Sequence, residues 1–122
     1  MSKAMVVDDS RAVRMILSRI LRQVGYDVCE AGNGKEALAK LAGEQAVSLI
    51  LVDWNMPEMD GLEFVRCVRS DPSKSAVKVM MVTTETEMDR LVTALEAGAN
   101  EYVMKPFTTE IISDKLRLLG VL

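Results

Sequence analysis

The chain has 122 residues, of which 49% are hydrophobic and 27% are charged, a composition typical of one globular domain with a single core and not of a disordered chain. Its net charge of −3 argues against a broad nucleic-acid-binding surface. No histidine is present, which excludes Ser-His and Cys-His nucleophile pairs and the usual zinc sites.

The N-terminus and the cysteines bear on the cellular compartment. The segment MSKAMVVDDS has a short apolar run that two aspartates interrupt, unlike a signal peptide or a membrane anchor. Cys29 and Cys67 fall within a predicted strand and a predicted helix. They are interpreted as small buried hydrophobic residues and not as a disulfide. We therefore expect a cytoplasmic protein that does not bind membranes.

Apolar runs alternate with helical periods along the chain. The runs predict five strands, at residues 4–7, 26–30, 48–53, 77–83 and 100–104. After the first strand comes a helix that ends at Gly25. Its apolar stripe is formed by Val13, Ile16, Leu17, Ile20, Leu21 and Val24. Four arginines lie opposite this stripe, and a solvated helix face is favoured for them over an interaction face: Arg11, Arg14, Arg19 and Arg22.

Each later strand is also followed by a helix. Two of these helices begin with the spacing of a capping box, because Glu36 follows Asn33 and Glu87 follows Thr84 by three residues. The helices are predicted from residue 33 through 41 and at residues 61–70, 84–98 and 108–119. Five β-then-α units indicate a parallel sheet that is covered by helices on both faces.

The charge content of the strands predicts their order in the sheet. The first, third and fourth strands are almost purely apolar, as central parallel strands are, whereas the second and fifth carry charged residues. With those two at the edges, the order 2-1-3-4-5 keeps the most sequence neighbours adjacent. This is a doubly wound, flavodoxin-like α/β order, whose ligand site lies at the carboxyl ends of strands 1 and 3.

Three aspartates fall at that predicted site. Asp8 and Asp9 end the first strand, and Asp53 ends the third. Taken singly, Asp9 or Ser10 could cap the first helix, and Asp53 could form a turn. Together, converging carboxylates repel each other unless a cation or shared protons neutralise them. A hard divalent ion with oxygen ligands such as Mg²⁺ fits this arrangement.

Two neighbouring strand ends add complementary groups. The fourth strand ends in Thr83-Thr84, and assigning Thr84 as the helix cap leaves the Thr83 hydroxyl available to a ligand. The fifth strand leads to Lys105-Pro106. A carboxylate nucleophile, two charge-neutralising cations and a hydroxyl donor are the groups needed to accept a phosphoryl group.

The motifs VVDDS, VDWNMPEMDG, MVTTE and YVMKPF occur in this order and spacing over the whole chain. They resemble the receiver domain of response regulators in two-component systems, especially the stand-alone chemotaxis regulators. The resemblance implies that Asp53 is the phosphoacceptor and that Asp8, Asp9, Asp53 and the backbone carbonyl of Asn55 bind Mg²⁺. It implies that Thr83 and Lys105 contact the phosphoryl oxygens, with a cis Lys105-Pro106 bond.

The same resemblance implies how the signal is transmitted. Thr83 is expected to move toward the phosphoryl group and Tyr102 to rotate inward as the switch residue, while Asn55 and Glu85 tune the rate of hydrolysis. The readout surface comprises the fourth helix, fifth strand and fifth helix. Met88, Leu91 and Leu118 make it more apolar than expected for a motor-binding face.

The resemblance also implies the partners. A histidine kinase is the expected phosphodonor, and the flagellar motor switch in chemotaxis is the favoured target. A phosphatase is a further expected partner, whereas nucleic acid is not expected. We expect a monomer with a single receiver domain that spans residues 1–122, without an output domain. We also expect a phosphoacceptor and not an enzyme that acts on a separate substrate.

Functions of other classes fit the sequence less well. Phosphatases with an Asp nucleophile carry a DxD motif, in which a second Asp follows the first by two residues. Here Asn55 stands two residues after Asp53. A flavin or dinucleotide carrier needs a phosphate-cradling loop after the first strand, where Asp-Asp-Ser-Arg would repel phosphate. A DNA-binding regulator needs an output domain. The alternative that stays open is a single-domain phosphorelay intermediate that passes its phosphoryl group to a phosphotransfer protein.

Overall fold

A five-stranded parallel sheet with the order β2-β1-β3-β4-β5 organises the chain, and the predicted flavodoxin-like order is thereby confirmed. The structure is a computed structural model that describes residues 2–43 and 47–121, with Glu85 described by its backbone alone. The strands are β1 (Lys3–Val7), β2 (Asp27–Ala31), β3 (Val47–Asp53), β4 (Lys78–Thr83) and β5 (Glu101–Met104). The helices are α1 (Arg11–Gln23), α2 (Gly34–Gly43), α3 (Gly61–Arg69), α4 (Leu91–Ala97) and α5 (Thr109–Leu118).

The register of the sheet brings the ends of β1 and β3 together. Val7 pairs with Val52 across these strands, so the aspartates that follow them leave the sheet side by side. On the other side of β3, Asp53 pairs with Val82 of β4. The carboxyl ends of the three central strands therefore form one edge, where the sequence places its acids.

Apolar side chains cover both faces of the sheet, because successive strand residues point to opposite sides. Met5 and Val7 pack on the face covered by α2, α3 and α4. Ala4 and Val6 pack on the face covered by α1 and α5. The central strands are almost completely buried, whereas β2 and β5 are only partly so, which agrees with their charged residues and edge positions.

Two expectations for α1 need correction. Ile16, assigned to the apolar stripe, is 50% exposed, since the buried face of the helix centres on Leu17 and Leu21. Arg14, grouped with the solvated arginines, is largely buried and hydrogen-bonded. The other three arginines of the group are exposed as expected. Cys29 and Cys67, expected to be buried, are both half-buried, and neither forms a disulfide.

The fourth predicted helix is two elements instead of one. Glu85–Arg90 forms a 3₁₀ helix, and α4 begins only at Leu91. The capping box is present, with Glu87 accepting from the Thr84 amide at 2.9 Å. Tight 3₁₀ turns are common at helix starts and carry the same cap residues, so the sequence pattern could not separate the two. No helix in the described ranges is long and apolar enough to cross a bilayer.

Candidate functional site

Three carboxylates converge at the carboxyl ends of β1 and β3. Asp8 and Asp53 are 1% and 5% exposed, whereas Asp9 is exposed. Each can place one carboxylate oxygen within 4.8 Å of the other two. The strand order inferred from the sequence therefore places these acids as proposed, and burial makes their repulsion stronger than it would be in water.

Backbone hydrogen bonds fix Asp8 at the end of β1. The Asp8 amide donates to the Ala31 carbonyl at 3.1 Å, and one Asp8 carboxylate oxygen accepts from the Ser10 amide at 2.8 Å. Ser10 is the N-cap of α1, since its side chain accepts from the Val13 amide. The capping role considered for Asp9 therefore belongs to Ser10, which leaves the Asp9 carboxylate available to a ligand.

Gly61 allows α3 to start against the backbone of Asp53. A Cβ at Gly61 would lie 2.6 Å from the Asp53 carbonyl oxygen, closer than atoms can approach. The Gly61 amide donates to the Trp54 carbonyl at 2.9 Å. Asp60 caps α3 by accepting from the Glu63 amide at 2.9 Å. The turn interpretation thus holds for Asp60-Gly61, which closes the loop that follows Asp53.

Lys105 adds a cation to the acid cluster. Its Nζ lies 3.0 Å from Asp53 Oδ1 and 3.5 Å from Asp8 Oδ2. Its backbone amide donates to the Thr83 carbonyl at 2.7 Å, which ties the end of β5 to the end of β4. The Lys105-Pro106 peptide bond is cis. One ammonium group thus bridges the two buried carboxylates.

Burial dominates the electrostatics of the site. It raises the pKa of Asp53 to about 6, because the hydrogen bond from Lys105 offsets only part of the desolvation and Asp8 adds repulsion. Burial likewise raises the pKa of Asp8, against the opposing effects of the Ser10 amide and Lys105. Burial lowers the pKa of Lys105, but the Asp53 and Asp8 carboxylates more than offset this and raise it overall. At both buried acids the loss of hydration therefore outweighs the attraction of Lys105.

The donor set fits a magnesium ion. Mg²⁺ prefers carboxylate oxygens and keeps several waters and phosphate oxygens in its coordination shell. Asp8 and Asp53 offer buried oxygens and Asp9 an exposed one, and their oxygens can approach within a few ångströms of each other. A divalent cation would also relieve the repulsion that raises the pKa of Asp53.

Thr83 stands at the end of β4 with a fully buried side chain. Among the side chains that the structure describes, its hydroxyl has one weak interaction, a donated hydrogen bond to the Met88 sulfur at 3.9 Å. Thioether sulfur is a poor acceptor, so a phosphoryl oxygen would compete well for this donor. The contact with Met88 could not be found from the sequence, because it depends on the 3₁₀ turn that carries Met88.

Comparison with known proteins identifies the family of this fold and site. The family model of the response regulator receiver domain matches residues 4–117. The chain belongs to this family. It is similar to chemotaxis protein CheY1 of Helicobacter pylori, with 43% identity over 118 residues that cover 96% of this chain and 95% of that protein. It is 44% identical to the chemotaxis protein CheY homolog of Campylobacter jejuni over 115 residues, which cover 93% of this chain and 88% of that protein.

Solved structures agree with this assignment of the receiver domain. The chemotaxis protein CheY4 of Vibrio cholerae superposes with a TM-score of 0.88 at 37% identity, and the match covers 100% of this chain and 99% of that one. The resemblance read from the sequence motifs is therefore confirmed. Receiver domains generally bind Mg²⁺ through an acidic pocket, and the three aspartates form such a pocket here.

Three further residues were predicted to act in the receiver domain: Asn55, Glu85 and Tyr102. Asn55 is exposed, two residues after Asp53. The side chain of Glu85 lies outside what the structure describes. Tyr102 is half-buried on β5, where its ring packs against the core beside α4 and Lys115 Nζ lies 4.2 Å from the ring centroid. Lys115 also forms an ion pair with Glu101 at 3.2 Å. Through Lys115, α5 therefore contacts the predicted switch residue Tyr102.

Proposed function

We propose that this receiver domain accepts a phosphoryl group on Asp53 from a histidine kinase and thereby switches a protein-binding surface. The observation that carries the proposal is the buried Asp53 carboxylate 3.0 Å from Lys105 and within reach of two further acids. In the reaction, an Asp53 oxygen attacks phosphorus and the bond from phosphorus to the imidazole nitrogen of the kinase breaks. The imidazole then takes up a proton. The histidine that this chain lacks is supplied by the kinase.

Each residue around Asp53 has a defined task in this proposal. Asp8 and Asp9, with Asp53 and the Asn55 carbonyl, would hold Mg²⁺, which neutralises phosphoryl charge when bound. Lys105 keeps its ammonium beside the acceptor and contacts the incoming phosphoryl oxygens. Thr83 exchanges its weak bond to Met88 for a bond to the charged phosphoryl oxygen. Asn55 and Glu85 tune the access of water to the acyl phosphate.

The signalling role that fits best is control of the flagellar motor in chemotaxis, since the relatives named above are chemotaxis proteins. Movement of Thr83 would favour the inward position of Tyr102 and change the surface of α4, β5 and α5. The protein then takes part in its own phosphorylation and dephosphorylation without acting on a separate substrate. Its cytoplasmic location and its action without an output domain remain predictions.

Trp54 provides the test of the phosphoacceptor. It is buried and adjoins Asp53, so its fluorescence should change on addition of Mg²⁺ and again on addition of acetyl phosphate. In Asp53→Asn the response to acetyl phosphate should be lost while part of the Mg²⁺ response remains. Intact mass spectrometry should find one added phosphoryl group in the wild type and none in the variant.

A matched control is Asp27→Asn, which removes an exposed carboxylate at the start of β2. This variant should respond to both additions like the wild type. If Asp53→Asn gains the phosphoryl group as readily as the wild type, the assignment of Asp53 as the acceptor is wrong.

A further inference from the structure

Arg14 connects α1 to the backbone of the acid cluster. Its Nη1 donates to the carbonyl oxygen of Asp8 at 2.6 Å, and its Nε donates to Glu30 Oε1 at 3.2 Å. Long side chains on a helix point toward its N-terminus, which brings this guanidinium back to the end of β1. The Arg14 side chain is only 19% exposed, so its hydrogen bonds are shielded from competing water.

The carbonyl that Arg14 binds belongs to the peptide group that joins the two consecutive acids. Asp8 is also held at its amide and its carboxylate. Asp9 differs, because within the described residues its exposed carboxylate accepts no hydrogen bond and forms no ion pair. The direction of the Asp9 side chain therefore depends on the orientation of its backbone, and the peptide before it is oriented by Arg14.

Contacts with β2 hold Arg14 itself in place. Glu30, its carboxylate partner, pairs with Val6 in the register of β1 and β2. The Glu30 carbonyl accepts a hydrogen bond from Lys40 Nζ, and Lys40 forms an ion pair with Glu36 at 3.4 Å. The planar guanidinium fork is thus anchored on one side by an edge strand and on the other by the backbone of Asp8.

We infer that Arg14 is a positioning residue for Mg²⁺, which aims the Asp9 carboxylate at the space shared with Asp8 and Asp53. This inference rests on the proposed function, which assigns these three acids to the metal. Outer residues that orient metal ligands typically change metal affinity by about 10- to 100-fold. No hydrogen bond from Arg14 reaches a carboxylate of the acid cluster in the described part of the chain, so it acts through the backbone.

Charge and position predict opposite effects when Arg14 is removed. If Arg14 were only a nearby cation, its loss would make the cluster more negative and Mg²⁺ would bind more tightly. If Arg14 orients Asp9, its loss lets the peptide and the carboxylate adopt other directions, and Mg²⁺ binds more weakly. The sign of the change therefore separates the two roles.

The experiment is a Mg²⁺ titration of Trp54 fluorescence without phosphodonor, in the wild type, Arg14→Met, Arg14→Lys and Arg11→Met. We expect about tenfold weaker binding in Arg14→Met. Arg14→Lys should recover part of the affinity, because lysine can still donate to the Asp8 carbonyl but cannot also fork to Glu30. Arg11→Met removes an exposed charge one turn earlier and should bind as the wild type does or slightly more tightly.

Thermal melting without metal controls for folding. Arg14→Lys keeps the charge and the stem, so it reports on positioning even if Arg14→Met unfolds. Unchanged or tighter binding in the folded Arg14 variants would overturn the positioning role while leaving the proposed function intact. A wild type that shows no saturable Mg²⁺ response would overturn both.

Discussion

The balance of charge at Asp53 decides what the site can do at a given pH. A carboxylate 3.0 Å from an ammonium group would ordinarily be a stronger acid than in water. Here the loss of hydration outweighs that attraction and Asp8 adds repulsion, so the pKa of Asp53 rises to about 6. Asp53 is consequently ionised near neutral pH and above, where it can act as a nucleophile. In the folded chain without metal, its ionisation costs more free energy than in the unfolded chain.

This imbalance predicts how stability varies with pH. Because the pKa of Asp53 is raised from 3.8 to about 6, the folded state binds this proton more tightly than the unfolded state does. The resulting stabilisation is complete below 3.8 and is lost as the pH rises through about 6. Asp53→Asn has no ionisable group at this position, so its stability does not fall as the pH rises through this range. Without metal and above pH 7, the variant should therefore be more stable than the wild type by about 3 kcal/mol.

Urea unfolding in the presence of EDTA, at a series of pH values, measures this difference. The advantage of Asp53→Asn should shrink toward acid pH, where Asp53 is neutral in the wild type. Asp27→Asn serves as the control, since that carboxylate is exposed. If the free energies of unfolding of wild type and Asp53→Asn run parallel over the whole pH range, the raised pKa is not a property of Asp53.

At the scale of elements, the surface formed by α4, β5 and α5 is the one that a partner would meet. Its exposed apolar side chains are Val92, Leu95, Ile111 and Leu118. Leu91, expected on this surface from the sequence, is buried instead, with 7% of it exposed, at the point where the 3₁₀ turn ends and α4 begins. Lys115 is engaged by Glu101 and by the ring of Tyr102. The surface therefore offers apolar contacts more readily than free positive charge.

A partner test follows from the exposed apolar side chains. Phosphorylated protein should retain a flagellar motor switch protein in a pull-down, and unphosphorylated protein should retain much less. Leu118→Ser should weaken the binding by about tenfold or more, since this side chain is 74% exposed in the free protein and burying a leucine contributes about 1.5–3 kcal/mol. Arg22→Ser, on α1, is the matched control. Retention of a phosphotransfer protein instead of the motor protein would favour the phosphorelay alternative.

At the scale of the whole molecule, the sequence predicted what depends on periodicity and strand ends. The almost purely apolar runs mark the central strands and the charged residues mark the edge strands, and acids at the ends of β1 and β3 must then meet at one edge. Arg14 was missed because its partners at Asp8 and Glu30 are joined by a long flexible side chain. The start of α4 at Leu91 was also missed, since α and 3₁₀ turns share their cap residues. Both features depend on the three-dimensional positions of residues, which a pattern of residue types does not specify.

Arg69 is a second long-range contact of this kind, at the end of α3. Its guanidinium donates to the backbone carbonyls of Gly98, Lys74 and Val77 at 3.0, 3.1 and 2.7 Å, and to the Asn100 side chain at 2.8 Å. Gly98 has φ +121°, and a Cβ there would lie 2.5 Å from Arg69 Cγ. One side chain thus joins α3 to the start of β4 and to the connection between α4 and β5.

Because this contact lies at the edge of the sheet opposite the acid cluster, its loss should affect stability and not metal binding. Arg69→Met removes four hydrogen bonds. The Lys74 carbonyl and Asn100 keep bonds from the Val77 and Val79 amides, but the Gly98 and Val77 carbonyls lose their donor, and we expect the free energy of unfolding to fall by about 3 kcal/mol. Urea unfolding measures the loss, and the Mg²⁺ affinity from Trp54 fluorescence should stay within twofold of the wild type. Arg66→Met, an exposed arginine on the same helix, should change neither quantity. Equal stability of the two variants would show that the Arg69 hydrogen bonds contribute no more than a solvated arginine does.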